Sequence, residues 1–317
     1  MHRILLWLLT LFISVEIFAQ NEVQAFFPDV FEDYPNVRDI TISPDGNEIY
    51  FTVDDLKSRI ALIAYIKKTN DGWSKPKSVS FTGKYRDLEA AFAPDGKRLY
   101  FVSNRPLDRD SIKPKDYDIW YVDRTINGWS EPKNIGAPIN TSSHEFYPSI
   151  TNNNDIYFTS EREGAVGRED IFVSRLKEQV YQEPISIQGG VNTKYFEFNA
   201  FIAPDESYIL FSGQRPKEGK GRGELYISYN ENGTWSKGKL LEKINSEYLD
   251  FCPFVDLKTN RLYFTSQKTE VKKYYEKSIE LDGFLSTFRS SKPHGLNRIY
   301  FVDFRMLLDS LSIKKMD

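Results

Sequence analysis

Four acids and four bases stand at matching places along this 317-residue chain. Asp87, Glu145, Glu197 and Asp250 each lie six positions before a turn. Arg105, Arg162, Arg215 and Lys268 each follow the apolar run that comes after that turn. In a hairpin built around the turn, both sets fall at the same end, so they would share one face of the assembled molecule. Opposed charges there can do either of two things. They can fix neighbouring segments by ion pairing, or they can present a charged rim to an anionic partner, a glycan or a peptide. The first copy of the pattern breaks it, with Val37 and Asp55 at the two places and Asp39 nearby.

Other chemistry finds little support. There are three histidines, at 2, 144 and 294, and one cysteine, Cys252. That excludes a disulfide within the chain and a multi-cysteine zinc site. The acids of "DRD" (108–110) and "DYD" (116–118) lack the spacing of a calcium loop. The segment "GQRPKEGKGRG" (213–223) carries Arg215, Lys217, Lys220 and Arg222, but it does not have the spacing of a phosphate-binding loop. No G-x-S-x-G nucleophile motif is present. Carboxylates are plentiful, yet nothing marks one pair as acid and nucleophile. We expect no catalytic residues, no metal and no cofactor. A net charge of −3 argues against nucleic acid as a partner.

The elements that must carry the charges repeat as well. "ITISPDGNEIYF" (40–51), "AAFAPDGKRLYF" (90–101), "PSITNNNDIYF" (148–158), "AFIAPDESYILF" (200–211) and "PFVDLKTNRLYF" (253–264) each read strand, tight turn, strand. A third strand follows in each copy, "DIWYVD" (118–123) being typical, and then a weak edge strand such as "NGWSEPK" (127–133). Trp73, Trp129 and Trp235 share one register, which Tyr181 takes in the third copy. These rings are expected to pack between units rather than to stack on sugars. Four antiparallel strands recurring at this interval make a propeller blade, which must bury its faces against neighbouring blades. The prediction is an all-β propeller of five four-stranded blades, six remaining open, with repeats starting near 37, 87, 145, 197 and 250. The fifth copy lacks a fourth strand of its own, so residues 22–34 are expected to close the ring. Residues 270–297 form an insertion, with room for a short helix or a loop.

Residues 1–19 read as a secretory signal peptide, with Arg3, an apolar core from Ile4 to Val15 and a small residue, Ala19, at the end. Residues 20–317 would then be the propeller domain, exported to the periplasm or beyond, with no membrane span after cleavage.

The "SPDG…IYF", "APDG…LYFVSNRP" and "DIWYVD…NGWSEP" strings, together with "GAPIN", resemble the TolB-type, WD40-like propeller repeats of stand-alone exported bacterial proteins. The resemblance covers residues 37 to 305 or so. It implies a five- or six-bladed ring acting in the cell envelope. The expectation drawn from it is a non-catalytic module that binds an envelope protein or peptide on the loop face around the central opening. A polysaccharide partner, or a glycan-active propeller enzyme, is the alternative. Arg105, Arg162, Arg215, Lys268, Asp87, Glu145, Glu197 and Asp250 are the candidate residues, for a partner or for an ionic ring between blades.

Overall fold

The computed structural model describes residues 22–313, except 109, 221, 270, 272–273 and 291–295. The proposed signal peptide lies outside the described residues. Five antiparallel sheets of four or five strands follow one another along the chain, and a two-stranded hairpin, Leu176–Lys177 with Val180–Tyr181, extends the third. Their innermost strands are Asn36–Ile42, Asp87–Phe92, Glu145–Ile150, Phe196–Ile202 and Asp250–Asp256, in blades 1 to 5. In blade 2, the second and third strands are Arg98–Ser103 and Asp118–Thr125. Two-residue pieces, Gly128–Trp129 and Lys133–Asn134, form the outer edge. The edge is short because Pro132, between the two pieces, has no N–H to donate.

Blade 5 takes its outer strand from the start of the described chain. Gln24 pairs with Phe301 and Ala25 with Tyr300, on the strand Arg298–Asp303. The first and last parts of the chain thus share one sheet, which closes the ring and leaves only a short outer edge. A sixth blade is absent among the described residues. The insertion between the last two strands of blade 5 carries a helix, Leu281–Ser290, and a second helix, Phe304–Ile313, follows the last strand. Among the described residues, no helix is long and apolar enough to cross a membrane.

The core lies between blades. Tyr50 and Trp129 are one example: Trp129 Nε1 donates to the Tyr50 hydroxyl at 3.0 Å, from blade 2 to blade 1. Tyr181 sits in the same register of blade 3, its hydroxyl 3.4 Å from that of Tyr100 in blade 2. Trp235 meets Tyr157 edge-on across the next boundary, at 6.5 Å. Trp73 meets Phe27 of the closing segment at 6.2 Å. A large ring on each outer hairpin therefore covers an aromatic of the preceding blade, burying apolar area that no single sheet could bury.

Candidate functional site

Every innermost strand carries a β-bulge at the same place, between Arg38 and Ile40, Leu88 and Ala91, Phe146 and Ser149, Phe198 and Phe201, and Phe251 and Phe254. Within each bulge one residue adopts a left-handed backbone: Asp39 (φ 55°), Glu89 (57°), Tyr147 (51°), Asn199 (46°) and Cys252 (54°). Non-glycine residues pay for that conformation in steric energy, so it persists only where the surroundings enforce it. The bulge re-aims the side chain, and here five side chains, one per blade, come together in the middle of the ring.

Their contacts cross the axis. Arg38 Nε donates to Asp39 Oδ1 at 2.7 Å, and its Nη2 donates to Glu89 Oε1 at 2.6 Å. Cys252 Sγ lies 2.7 Å from Asp39 Oδ1. Asn199 Nδ2 approaches Glu89 Oε1 at 3.4 Å, and the Tyr147 hydroxyl donates to the Pro253 carbonyl. The second Asp39 oxygen is buried without a hydrogen-bond partner among the described residues. Burial pushes the Glu89 carboxyl up to about 7, against the pull of Arg38 and with help from Asp39. Burial also raises the Cys252 thiol, and Asp39 adds to the effect.

A second contact explains why Glu89 is there. In three blades the bulge N–H is bonded by a hydroxyl from the preceding blade: Asp39 N by Thr265, Glu89 N by Thr52 and Asn199 N by Thr159. Each threonine stands opposite the residue before the bulge. In blade 2 that position is Val102, opposite Leu88. Valine offers no acceptor, and Tyr147 N instead donates to Glu89 Oε2 at 2.8 Å. One missing hydroxyl is thus replaced by a carboxylate on the axis.

This plug is the floor of a cavity of about 510 Å3. The cavity opens among the turns that join first and second strands, and all five blades contribute to it. Ile42, Ala91, Ile150, Phe201 and Phe254 form apolar walls, with Glu89 and Tyr147 at the bottom. Pro44, Pro94, Pro204 and Leu257 surround the mouth, beside Asp205, Asp256 and Lys258. Asp45 and Asp95, in the turns of blades 1 and 2, directly follow two of those prolines. Hydrogen bonds from Ser43 hold the Asp45 carboxyl below its ordinary value, and those from Ser207 do the same for Asp205.

The residues singled out from the sequence lie at the other end of the strands. Each base does meet the acid of its own repeat: Arg105 with Asp87 at 2.6 Å, Arg162 with Glu145 at 2.8 Å and Arg215 with Glu197 at 2.8 Å. Each of these three pairs lies within one blade rather than between two. The acids are fully buried, and the arginines are 9%, 7% and 4% exposed. Each guanidinium also donates to the connector arriving from the previous blade, at the Phe81, Ile139 and Val191 carbonyls. It lies over the rings of its own second and third strands, as Arg215 does over Phe211 and Tyr226. In blade 5, Lys268 stands 4.0 Å from the centre of the Tyr300 ring, and Asp250 accepts from Ser246. Burial raises the Glu145 and Asp250 carboxyls.

Sequence reasoning missed the bulge residues, because five different side chains at one position show no motif. It also missed the hydroxyls that hold the acids. Thr82, Thr141, Thr193 and Ser246 each donate to the acid of the next blade. The strings "NTSSHE", "NTKYFE" and "NSEYLD" carried that signal in three copies.

No known family matches the chain, and no curated protein does. Solved structures do resemble it. A protein solved as an RGII complex is 8% identical, with a TM-score of 0.52 over 89% of this chain and 90% of that one. An alpha-L-arabinofuranosidase from Lactobacillus brevis is 13% identical, at 0.48 over 84% and 92%. A putative TolB from Agrobacterium tumefaciens is 14% identical, at 0.46 over 73% and 69%. At these identities the likeness is one of fold.

Proposed function

We propose that this protein is an exported, non-catalytic binding module of the bacterial cell envelope. Its partner is a protein or peptide that docks on the turn face and inserts a side chain into the axial cavity. The observation that carries this reading is the cavity itself: concave, apolar-walled and lined by all five blades. The three arginine–acid pairs, and Asp250 with its Ser246 bond, belong to the scaffold in this reading, since the acids are fully buried and already bonded.

A glycan-active reading has one observation in its favour. Oxygens of Asp39 and Glu89 lie within 4.8 Å of each other, and Glu89 titrates high. Retaining glycosidases need two carboxyl groups about that close. Against it, both carboxylates share Arg38, and they are only 2% and 4% exposed.

The test is a comparison of baits against solubilised envelope. Leu257 is 58% exposed at the mouth, so Leu257→Lys should leave the fold intact. A partner held by the native protein and lost by Leu257→Lys supports the reading. A partner held equally by both removes it. Release of reducing sugar from envelope polysaccharide, abolished by Glu89→Gln, would establish the glycan-active alternative.

A further inference from the structure

The plug holds two carboxylates, Asp39 and Glu89, against one guanidinium, Arg38. With both acids ionised it carries one uncompensated negative charge under an apolar shaft. Buried charge of this kind seeks a proton or a counter-cation. The other cation that acts on Glu89, Arg86, is already bound to Asp54 at 2.6 Å. Glu89 accepts three hydrogen bonds, from Arg38, Asn199 and the Tyr147 N–H. A carboxylate has roughly four acceptor sites, so one remains. The second Asp39 oxygen, on a residue 2% exposed, has no partner among the described residues.

The shaft above suits one kind of visitor. Its walls are apolar and partly aromatic, Phe201 and Phe254 among them, and they would accept an aliphatic stem and attract a cation at its tip. The mouth is rimmed by Asp205 and Asp256, with Asp45 and Asp95 in the adjoining turns and Lys258 as the counter-charge. From these features we infer that the axial cavity binds a cationic group on an aliphatic stem, such as a partner's lysine side chain, with the ammonium seated at Glu89. The inference rests on the docking reading above and specifies what is docked.

The charge of the floor makes the binding depend on pH. The charged and titratable groups facing Glu89 are Arg38 and Asp39 from blade 1, Arg86 from its own blade, Tyr147 from blade 3 and Cys252 from blade 5. Burial raises Glu89 to about 7. Above that pH the floor is anionic and attracts the ammonium. Below it Glu89 holds a proton, and the attraction is lost.

The experiment uses the full chain with n-hexylammonium and 1-hexanol as probes, titrated by calorimetry at pH 8 and pH 5.5. At pH 8 the ammonium should bind about tenfold or more tightly than the alcohol, the scale of one hydrogen bond to a charged group. The advantage should vanish at pH 5.5, and near pH 7 binding should release protons, read from buffers of different ionisation enthalpy. Glu89→Gln should equalise the two probes at pH 8, and Arg215→Lys, at a residue that does not line the cavity, should not. Equal binding of the two probes to the native protein at pH 8, or no binding of either, overturns the inference without any variant. An ammonium preference that survives in a folded Glu89→Gln also overturns it. The docking reading fails separately, if Leu257→Lys keeps every partner.

Discussion

The two ends of the innermost strands use charge in opposite ways. At one end, Arg105–Asp87, Arg162–Glu145 and Arg215–Glu197 are near copies of a single arrangement. The same ring contacts, connector carbonyls and hydroxyl donors return in each. Towards the other end, beginning two residues further along each strand, the chain repeats the backbone, five bulges with five left-handed residues, and varies the side chain every time. Repetition suits a task that every blade shares, namely anchoring the connector that brings in the next strand. A ligand meets the ring once, so its site has to differ from blade to blade. In a repeat protein, then, the informative position is one where geometry is kept between copies and chemistry is not.

The largest effect should come from breaking the repeated end. Arg215→Ala leaves Glu197 fully buried and without its cation. Removing one partner of a buried pair costs about 3–5 kcal/mol, to be read as a loss in urea-induced unfolding free energy. The amine-over-alcohol preference of the cavity should be untouched in the protein that remains folded. Lys268→Ala should cost less, because Lys268 is only half-buried whereas Arg215 is buried. If Arg215→Ala instead abolished probe binding while leaving stability alone, the division between scaffold end and site end would collapse.

A smaller effect separates the two ends by pH. Glu89 is raised from 4.5 to about 7 by burial in the folded state. The folded protein therefore holds a proton that the unfolded chain releases between those values. Its contribution to stability is complete below about pH 4.5 and is lost as pH rises towards 7. The native protein should lose stability relative to Glu89→Gln across that window, by up to about 3 kcal/mol at the usual conversion for a shift of this size. A difference that stays flat from pH 4.5 to 7 would place Glu89 among ordinary solvated carboxylates.

What the sequence made legible follows from the same division. Pro-Asp-Gly turns, alternating aromatic strands and a period near 50 residues dictate the blades, and the ring closes through Gln24–Ala25 because the fifth copy has no outer strand of its own. The pairing of Asp87 with Arg105 was readable as well, because hairpin geometry brings those two positions to one end. Burial was not readable. Nothing local says that the Arg215 side chain is 2% exposed, since the covering rings and connector come from elsewhere in the ring. The plug was hidden for a further reason. A β-bulge leaves no mark when Asp, Glu, Tyr, Asn and Cys all occupy it, and the cavity exists only once five distant segments meet. The helix Phe304–Ile313 was hidden because it stands where a repeat would place its fourth strand, which another segment provides.

The smallest effect tests why the two ends differ. Thr52, Thr159 and Thr265 each hold the bulge of the next blade by a hydroxyl, and Val102 cannot. If Glu89 is on the axis partly to serve the Tyr147 N–H, its removal should be repairable from the neighbouring strand. Glu89→Ala leaves that buried N–H without an acceptor, and Val102→Thr supplies one in the geometry that three other blades use. In the Glu89→Ala background, Val102→Thr should restore about 1 kcal/mol, the net worth of one hydrogen bond. In the native background the same substitution should bring no gain, because the N–H is already bonded and the Val102 methyl packs with Leu88 and Ala61. The rescued double variant should still treat n-hexylammonium and 1-hexanol alike. Stability returning while the preference stays lost would show that Glu89 does two things in this ring, and that only the structural one can be handed to a threonine.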